Sequence, residues 1–542
     1  MLLLVLILAL LIIAPALTYY RKTYVFYTTA KDKDSLGKLP PQIPYSVPIA
    51  SQYLGFVLNG QQKYFAKLIA EYGNFAPFLV LDFAVLRDPE HTKKAMQACR
   101  GAVIRRNMHE VILGYRRDIK KKYKDAAVNA QDFLITQRGV TTRKYLEGSS
   151  LTTMTDLYTA ILSRNMNDKM FQVSSWTQIE DVWSFLQQVL TRCSLELLFG
   201  SGILKQYPGL IKDYWKFEDA IQDYLSVQTL FRPAPYKEPL ERLWQGVEKW
   251  LKVNHSGTEF AKTGSDDADL DEYKGSKFIQ ELDDMIASKQ LPFEARIAEM
   301  LDVMHYSNME LIPCAIWTTI ELLRKPYLAE QITAMVSASK SAKAAAYDVN
   351  GILARPLFQS LQAEVSRLRV ARYKIYTITA DVALDSEWTL PKNCNAIAFS
   401  RDFALNTKVW AKARPRTIEK PLEEFWAERF LVSEKDTSQA QGQRKSRGSM
   451  NEARFDAQDL ELLFPAISNN MADMAFDLPS RYFRAMQAAT MAVLFNEFEI
   501  QLCDPDLIDA AMPELRESAF GQVRPKEKIA VRIRKRRAGK EQ

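Results

Sequence analysis

Residues 2–20, LLLVLILALLIIAPALTYY, carry no charge. A helix rises about 1.5 Å per residue, so this run is long enough to cross the roughly 30 Å hydrocarbon layer of a bilayer. That sets the outline of the chain, with one end in lipid and the rest in water. Tyr19 and Tyr20 fall where aromatic rings favour the headgroup layer, and Arg21 and Lys22 follow at once. The positive flank places the bulk of the chain in the cytosol. The rival is a cleaved signal peptide, which wants a basic stretch ahead of a shorter apolar core and small residues at the cut. Here no Lys or Arg precedes the run, and bulky tyrosines close it. A retained single-pass anchor is expected, and a cytosolic domain leaves the sequon at Asn254 unglycosylated.

Behind the anchor, Pro40, Pro41, Pro44 and Pro48 favour extended backbone and read as a stiff spacer. The expected organisation is an anchor over 1–22, a proline-rich hinge over 23–50 and one large domain over 51–542. With 47% hydrophobic and 25% charged residues, the chain has ample material for a large core. Two stretches, 257–277 and 433–454, are poor in apolar residues and read as surface loops.

The net charge of +7 gathers partly at the end, where Arg532, Arg534, Lys535, Arg536 and Arg537 crowd together. A solvated terminal strand and tail is the expected reading, and no nucleic-acid partner is expected. Five cysteines, Cys99, Cys193, Cys314, Cys394 and Cys503, stand singly. The odd, unpaired set argues against a disulfide framework and fits a reducing compartment. Four histidines, at 91, 109, 255 and 305, are equally scattered, which argues against a structural zinc site. No metal is expected.

Between the loops the pattern is mainly helical. Residues 174–200 place apolar side chains at three- and four-residue spacing. The longest candidate helix runs from Phe293 to Arg324, closed by Pro326, and Pro313 inside it predicts a kink or a lost hydrogen bond. Lys374 to Val382 alternates as a strand does.

Glu364 and Arg367 form an E-x-x-R pair one helical turn apart, and Phe425-Trp426-Ala427-Glu428-Arg429-Phe430 follows some sixty residues later. This succession resembles the cytochrome P450 family, in its fungal microsomal type. The resemblance implies a mainly α fold with small β-sheets behind an N-terminal transmembrane helix. It also implies that Glu364, Arg367 and Arg429 form a buried structural triad, in keeping with the cost of an unpaired buried charge. The long helix resembles the one that crosses over the haem. Gly521 to Pro525 with Val531 to Arg534 resembles the terminal hairpin, and 433–454 sits where fungal members carry a polar insertion.

The family's haem loop reads F-x-x-G-x-x-x-C-x-G. Its cysteine thiolate holds the iron, and its glycines allow close backbone approach. The corresponding stretch here begins at Phe464-Pro465, and Pro479, Arg481 and Phe483 match the P-x-R-x-F that follows. This alignment puts Leu478 at the ligand position and Ser480 at the next glycine. No glycine occurs from Ser449 to Phe520, and no cysteine between Cys394 and Cys503. Met471, Met474, Asp473 and Asp477 are the nearby donors, and the methionines read as packing residues. His305 reads as a helix-surface histidine without a metal role. The oxygen-relay position is altered too, with Glu310 followed by Leu311 where the family carries an alcohol.

These features point to a P450-like protein of the endoplasmic reticulum membrane with no catalytic residue to name. No cofactor is expected, and the protein is read as inactive as a monooxygenase. It would act as a scaffold, a partner of an active P450 or of the P450 reductase, or a binder of a lipophilic small molecule in secondary or lipid metabolism. The alternative is an active haem-thiolate monooxygenase whose cysteine loop is missing through a gene-model error.

Overall fold

The computed structural model describes residues 2–32, 34–47, 50–99, 131–167, 169–222, 235–255, 269–288, 291–340, 347–432, 453–458, 460 and 478–537. The side chains of residues 2–12, 50–51, 131–137 and 416 fall outside that set. So do His109, residues 257–268, most of the 433–454 insertion and the whole Phe464 to Asp477 stretch.

The elements that position the site are few. Helix α1 spans Leu2–Lys31, α2 Gln61–Tyr72 and α3 Pro89–Ala98. Next come α4, Gly148–Met166, α5, Val182–Phe199, and α6, Leu210–Gln222. Helices α7, Phe293–Asn308, α8, Leu311–Arg324, and α9, Pro356–Arg369, cross the middle. The short α10, Ser400–Ala404, and α11, Thr407–Ala413, precede α12, Ser480–Glu497. Local chemistry starts several of these. Asp88 accepts from the Glu90 amide at 2.8 Å to cap α3, and Asp181 caps α5 through Trp183 at 3.2 Å. Pro356 opens α9 at a position where a missing N–H costs nothing.

Helices α4, α5, α8 and α12 pack on one another as the central bundle. Their buried residues are largely apolar. The Tyr158 hydroxyl, buried in the bundle, lies 3.0 Å from Thr490 Oγ1. A four-stranded sheet lies beside the bundle. Its strands are β1 (Phe78–Val80), β2 (Phe83–Leu86), β5 (Tyr373–Thr377) and β6 (Asn395–Phe399), in the order β1-β2-β6-β5. The β2–β6 pair is parallel, with Ala396 opposite Ala84, and the outer pairs are antiparallel.

The expected 293–324 helix is two helices. The break falls at Met309 and Glu310, and Pro313 explains its place. Proline has no N–H to give to the Met309 carbonyl four residues earlier, and its ring crowds that carbonyl. Bonding resumes with Cys314 N donating to Glu310 O at 3.1 Å.

Other expectations shift. Within 174–200 the helix begins at Val182, because Thr177–Ile179 forms strand β3. The alternating run from Lys374 is not one strand: Tyr373–Thr377 is one, and Val382 belongs to another that pairs with Leu390. The two terminal strands do not form a hairpin with each other. Strand β8 (Gly521–Gln522) pairs with β4 (Val370–Ala371), while β9 (Val531–Lys535) lies between β7 (Phe498–Leu502) and β3. The basic tail is therefore half structural. Arg534 bonds Glu499 at 2.5 Å, and Arg536 donates to the Phe498 carbonyl at 2.9 Å.

The 23–50 hinge is not a free spacer either. Helix α1 continues to Lys31, and Ile43 N donates to Leu79 O at 3.0 Å, laying the proline segment along β1. Among the described residues, no helix is long and apolar enough to cross a membrane.

Candidate functional site

Glu364, Arg367 and Arg429 meet where α9 faces the segment before the insertion. The Arg367 fork donates twice to Glu364, both at 2.7 Å, and Arg429 Nε donates to Glu364 Oε1 at 3.0 Å. The Trp426 amide adds a bond to the same carboxylate at 3.1 Å. The remaining Arg429 hydrogens go to carbonyls of Thr417, Pro421 and Glu424 at 2.8–3.0 Å. Arg367 also donates to Ala404 O at 2.9 Å, which ties α9 to α10. All three side chains are fully buried. Burial pushes the Arg429 guanidinium below its usual value, and Glu364 opposes that fall. Every guanidinium nitrogen of the two arginines has a partner inside this buried group.

The broken helix carries the second group. Glu310 sits in the break, 2% exposed, and its carboxylate binds the Arg372 guanidinium, which extends from the sheet side. Leu311 follows at 1% exposure and has no hydroxyl to offer. One turn on, burial raises the Cys314 thiol well above its ordinary value, and Glu310 nearby adds to this. Gln487 of α12 faces that thiol and also accepts from Gln362 of α9 at 3.2 Å.

The third group is the start of α12. Leu478 is buried at 4% exposure, Pro479 precedes the helix and Ser480 is its first residue. Tyr482 N donates to Pro479 O at 2.9 Å, closing the first turn. Leu478, which the sequence resemblance aligns with the family's ligand, is thus a buried apolar side chain. The 461–477 stretch before it, with Met471, Asp473, Met474 and Asp477, lies outside the described residues.

Near Arg372 a cavity of about 990 Å³ opens between the sheet, α3 and the α10–α11 segment. Its charged lining is mostly cationic: Arg87, Lys93, Arg372, Lys374, Lys408 and Lys412 among others, against Asp88 and Glu90. Two of the arginines already hold carboxylates, Arg87 that of Asp402 at 2.6 Å and Arg372 that of Glu310.

Several residues carry weight that the sequence did not signal. Arg372 is one, since nothing in its spacing marks it as the partner of Glu310. His305 is another. It is not a helix-surface side chain, because its Nδ1 lies 2.6 Å from the buried Glu218 of α6. Further back on α7, Arg296 makes two 2.7 Å bonds to Asp283, and Arg138 reaches Glu299 at 2.8 Å and Asp302 at 3.0 Å. A run of charge on an apolar helix was the available signal. Arg401 is the exception to this pairing. It is 4% exposed, only its Nη1 is bonded, to Ser518 O at 3.1 Å, and burial pulls its guanidinium down to about 9.

The mainly helical architecture with small sheets fits a cytochrome P450 fold. No protein-family model matches the chain. It is similar to the cytochrome P450 monooxygenase fsoE of Humicola fuscoatra, at 24% identity over 92% of this chain and 88% of that protein. It is also similar to the cytochrome P450 monooxygenase efuG of Hormonema carpetanum, at 23% identity over 94% of this chain and 92% of that protein. Both relatives are named as cytochromes P450, a haem class. The expectation of no cofactor does not stand against them.

The residues present do not fit that group: the Arg372 guanidinium at the cavity is already paired with Glu310, and the sequence resemblance aligns Leu478 with the thiolate ligand. The buried cysteines 99, 193 and 314 are held as thiols by burial, Cys99 at about 11.

Proposed function

We propose that this is a membrane-anchored protein of the cytochrome P450 type in which haem-thiolate oxygen insertion is lost. Its role is that of a scaffold, a partner of an active P450 or its reductase, or a binder of an apolar metabolite. Lipid or secondary metabolism at the endoplasmic reticulum is the setting that the family resemblance suggests. Haem comes to this chain by its similarity to the two relatives, and the reading concerns its axial ligand. The carrying observation is Leu478, an apolar buried side chain at the head of α12. Leu311 and the Glu310–Arg372 pair support it from a separate element, because they leave no alcohol beside the acid. The anchor rests on the uncharged 2–20 run of the sequence. The deciding experiment expresses the full chain with added haem precursor and records its ligand-field spectrum in both oxidation states. A spectrum without thiolate character supports the reading.

A second reading is favoured by the relatives themselves. Two proteins similar over more than nine-tenths of this chain are named monooxygenases. In that reading the protein is an active haem-thiolate monooxygenase of a lipophilic substrate, and the stretch before Leu478 is not its true sequence. Sequencing the transcript across codons 455–490 decides it, since a cysteine codon there restores the loop.

A further inference from the structure

Helix α1 does not leave the domain through a loose joint. It runs unbroken from Leu2 to Lys31, and its last third is packed. Phe26 is 1% exposed. Its ring meets Tyr72 edge-on at 5.1 Å and Phe75 at 5.8 Å, and the neighbouring Tyr27 meets Phe75 at 5.2 Å. One turn earlier, the Lys22 ammonium lies 4.9 Å from the Tyr45 ring of the proline segment. Lys22 and Phe26 are spaced i and i+4, so they share one face of the helix. That face is held at two places, by the end of α2 with Phe75 and by the segment around Tyr45.

A free linker would make none of these contacts, and edge-to-face rings fix angle as well as distance. We infer that the Lys22–Phe26 face is a rigid joint that transmits the direction of α1 to the whole domain. The domain would then stand on the membrane in one fixed attitude. Its openings would face the surface at an angle set by these rings and not by a swinging hinge. The inference rests on the anchor reading above for its consequence, but not for the joint itself.

The test uses the full chain in a Cys503→Ser background, with spin labels at Leu17→Cys on α1 and Lys67→Cys on α2. Lys67 is exposed on the domain surface, and Leu17 projects from α1 without packing on the domain. In phosphatidylcholine vesicles the distance distribution should be single and narrow. Phe26→Ala with Tyr27→Ala should widen it at least twofold, while Phe26→Leu, which keeps an apolar plug, should leave it narrow. A starting chain as broad as the double variant, or a double variant as narrow as the starting chain, overturns the joint. Flotation with the vesicles tests the anchor separately. A chain that stays behind overturns the anchor, and the same distance widths read in detergent still decide the joint.

Discussion

The Glu310 carboxylate, in the break between the two halves of the long helix, is bound by the Arg372 guanidinium from beyond the end of α9. Glu310 is buried and Arg372 is about four-fifths so. This contact joins the helix break to the edge of the cationic cavity. It also occupies the carboxylate that stands beside Leu311. Replacing Arg372 by Met removes that cation from a buried carboxylate. The expected loss is about 2–4 kcal/mol, reduced from the fully buried case by the partial exposure of Arg372. Adding Glu310→Gln should recover part of it, and urea midpoints at constant slope measure both.

The Glu364 knot is fully dry, so it should be less forgiving. Glu364→Gln leaves two buried guanidiniums facing a neutral amide, and a loss of about 3–5 kcal/mol is expected. Arg367→Lys should also destabilise, because an ammonium cannot reproduce the two 2.7 Å bonds of the fork. Soluble yield and thermal midpoint of the purified chain check both variants.

Arg401 should behave in the opposite sense. No carboxylate pairs with it among the described residues, and its neighbour Arg369 is also positive. Arg401→Met should therefore stabilise the chain, by about 1–3 kcal/mol. The pH dependence has a definite sign. The folded value near 9 lies below the ordinary value of 12.5. Below pH 9 both states hold the proton, and the full penalty is present. Above it the folded state sheds the proton first, so the penalty fades as pH rises. The advantage of the Met variant should thus shrink between pH 9 and 10.5. An advantage that grows over that range would run against this assignment.

Much of this architecture was legible in the residues. The family resemblance implied that the E-x-x-R pair meets Arg429, and the need of buried arginines for a carboxylate agrees with that meeting. Pro313 announced a fault in the long helix, although the fault lies four residues earlier, at the carbonyl that proline cannot satisfy. The illegible parts depend on long-range contacts. Nothing local tells Arg372 to reach Glu310, 62 residues away in sequence, or tells β9 to choose β7 over the nearby β8. The contacts of the proline segment were illegible for a related reason. Proline content predicts a stiff segment, but only the fold shows Ile43 bonded along β1 and Phe26 sunk among aromatic rings. The cofactor expectation failed differently. The absence of cysteine at 478 bears on the ligand, and the relatives speak to the haem.

The most direct test of the central claim is the reduced carbon monoxide difference spectrum of the full chain purified with haem supplied. With Leu478 at the head of α12, the account predicts no thiolate-type Soret band, and a Leu478→Cys variant is the matched comparison. A thiolate-type band from the unaltered chain would contradict the account.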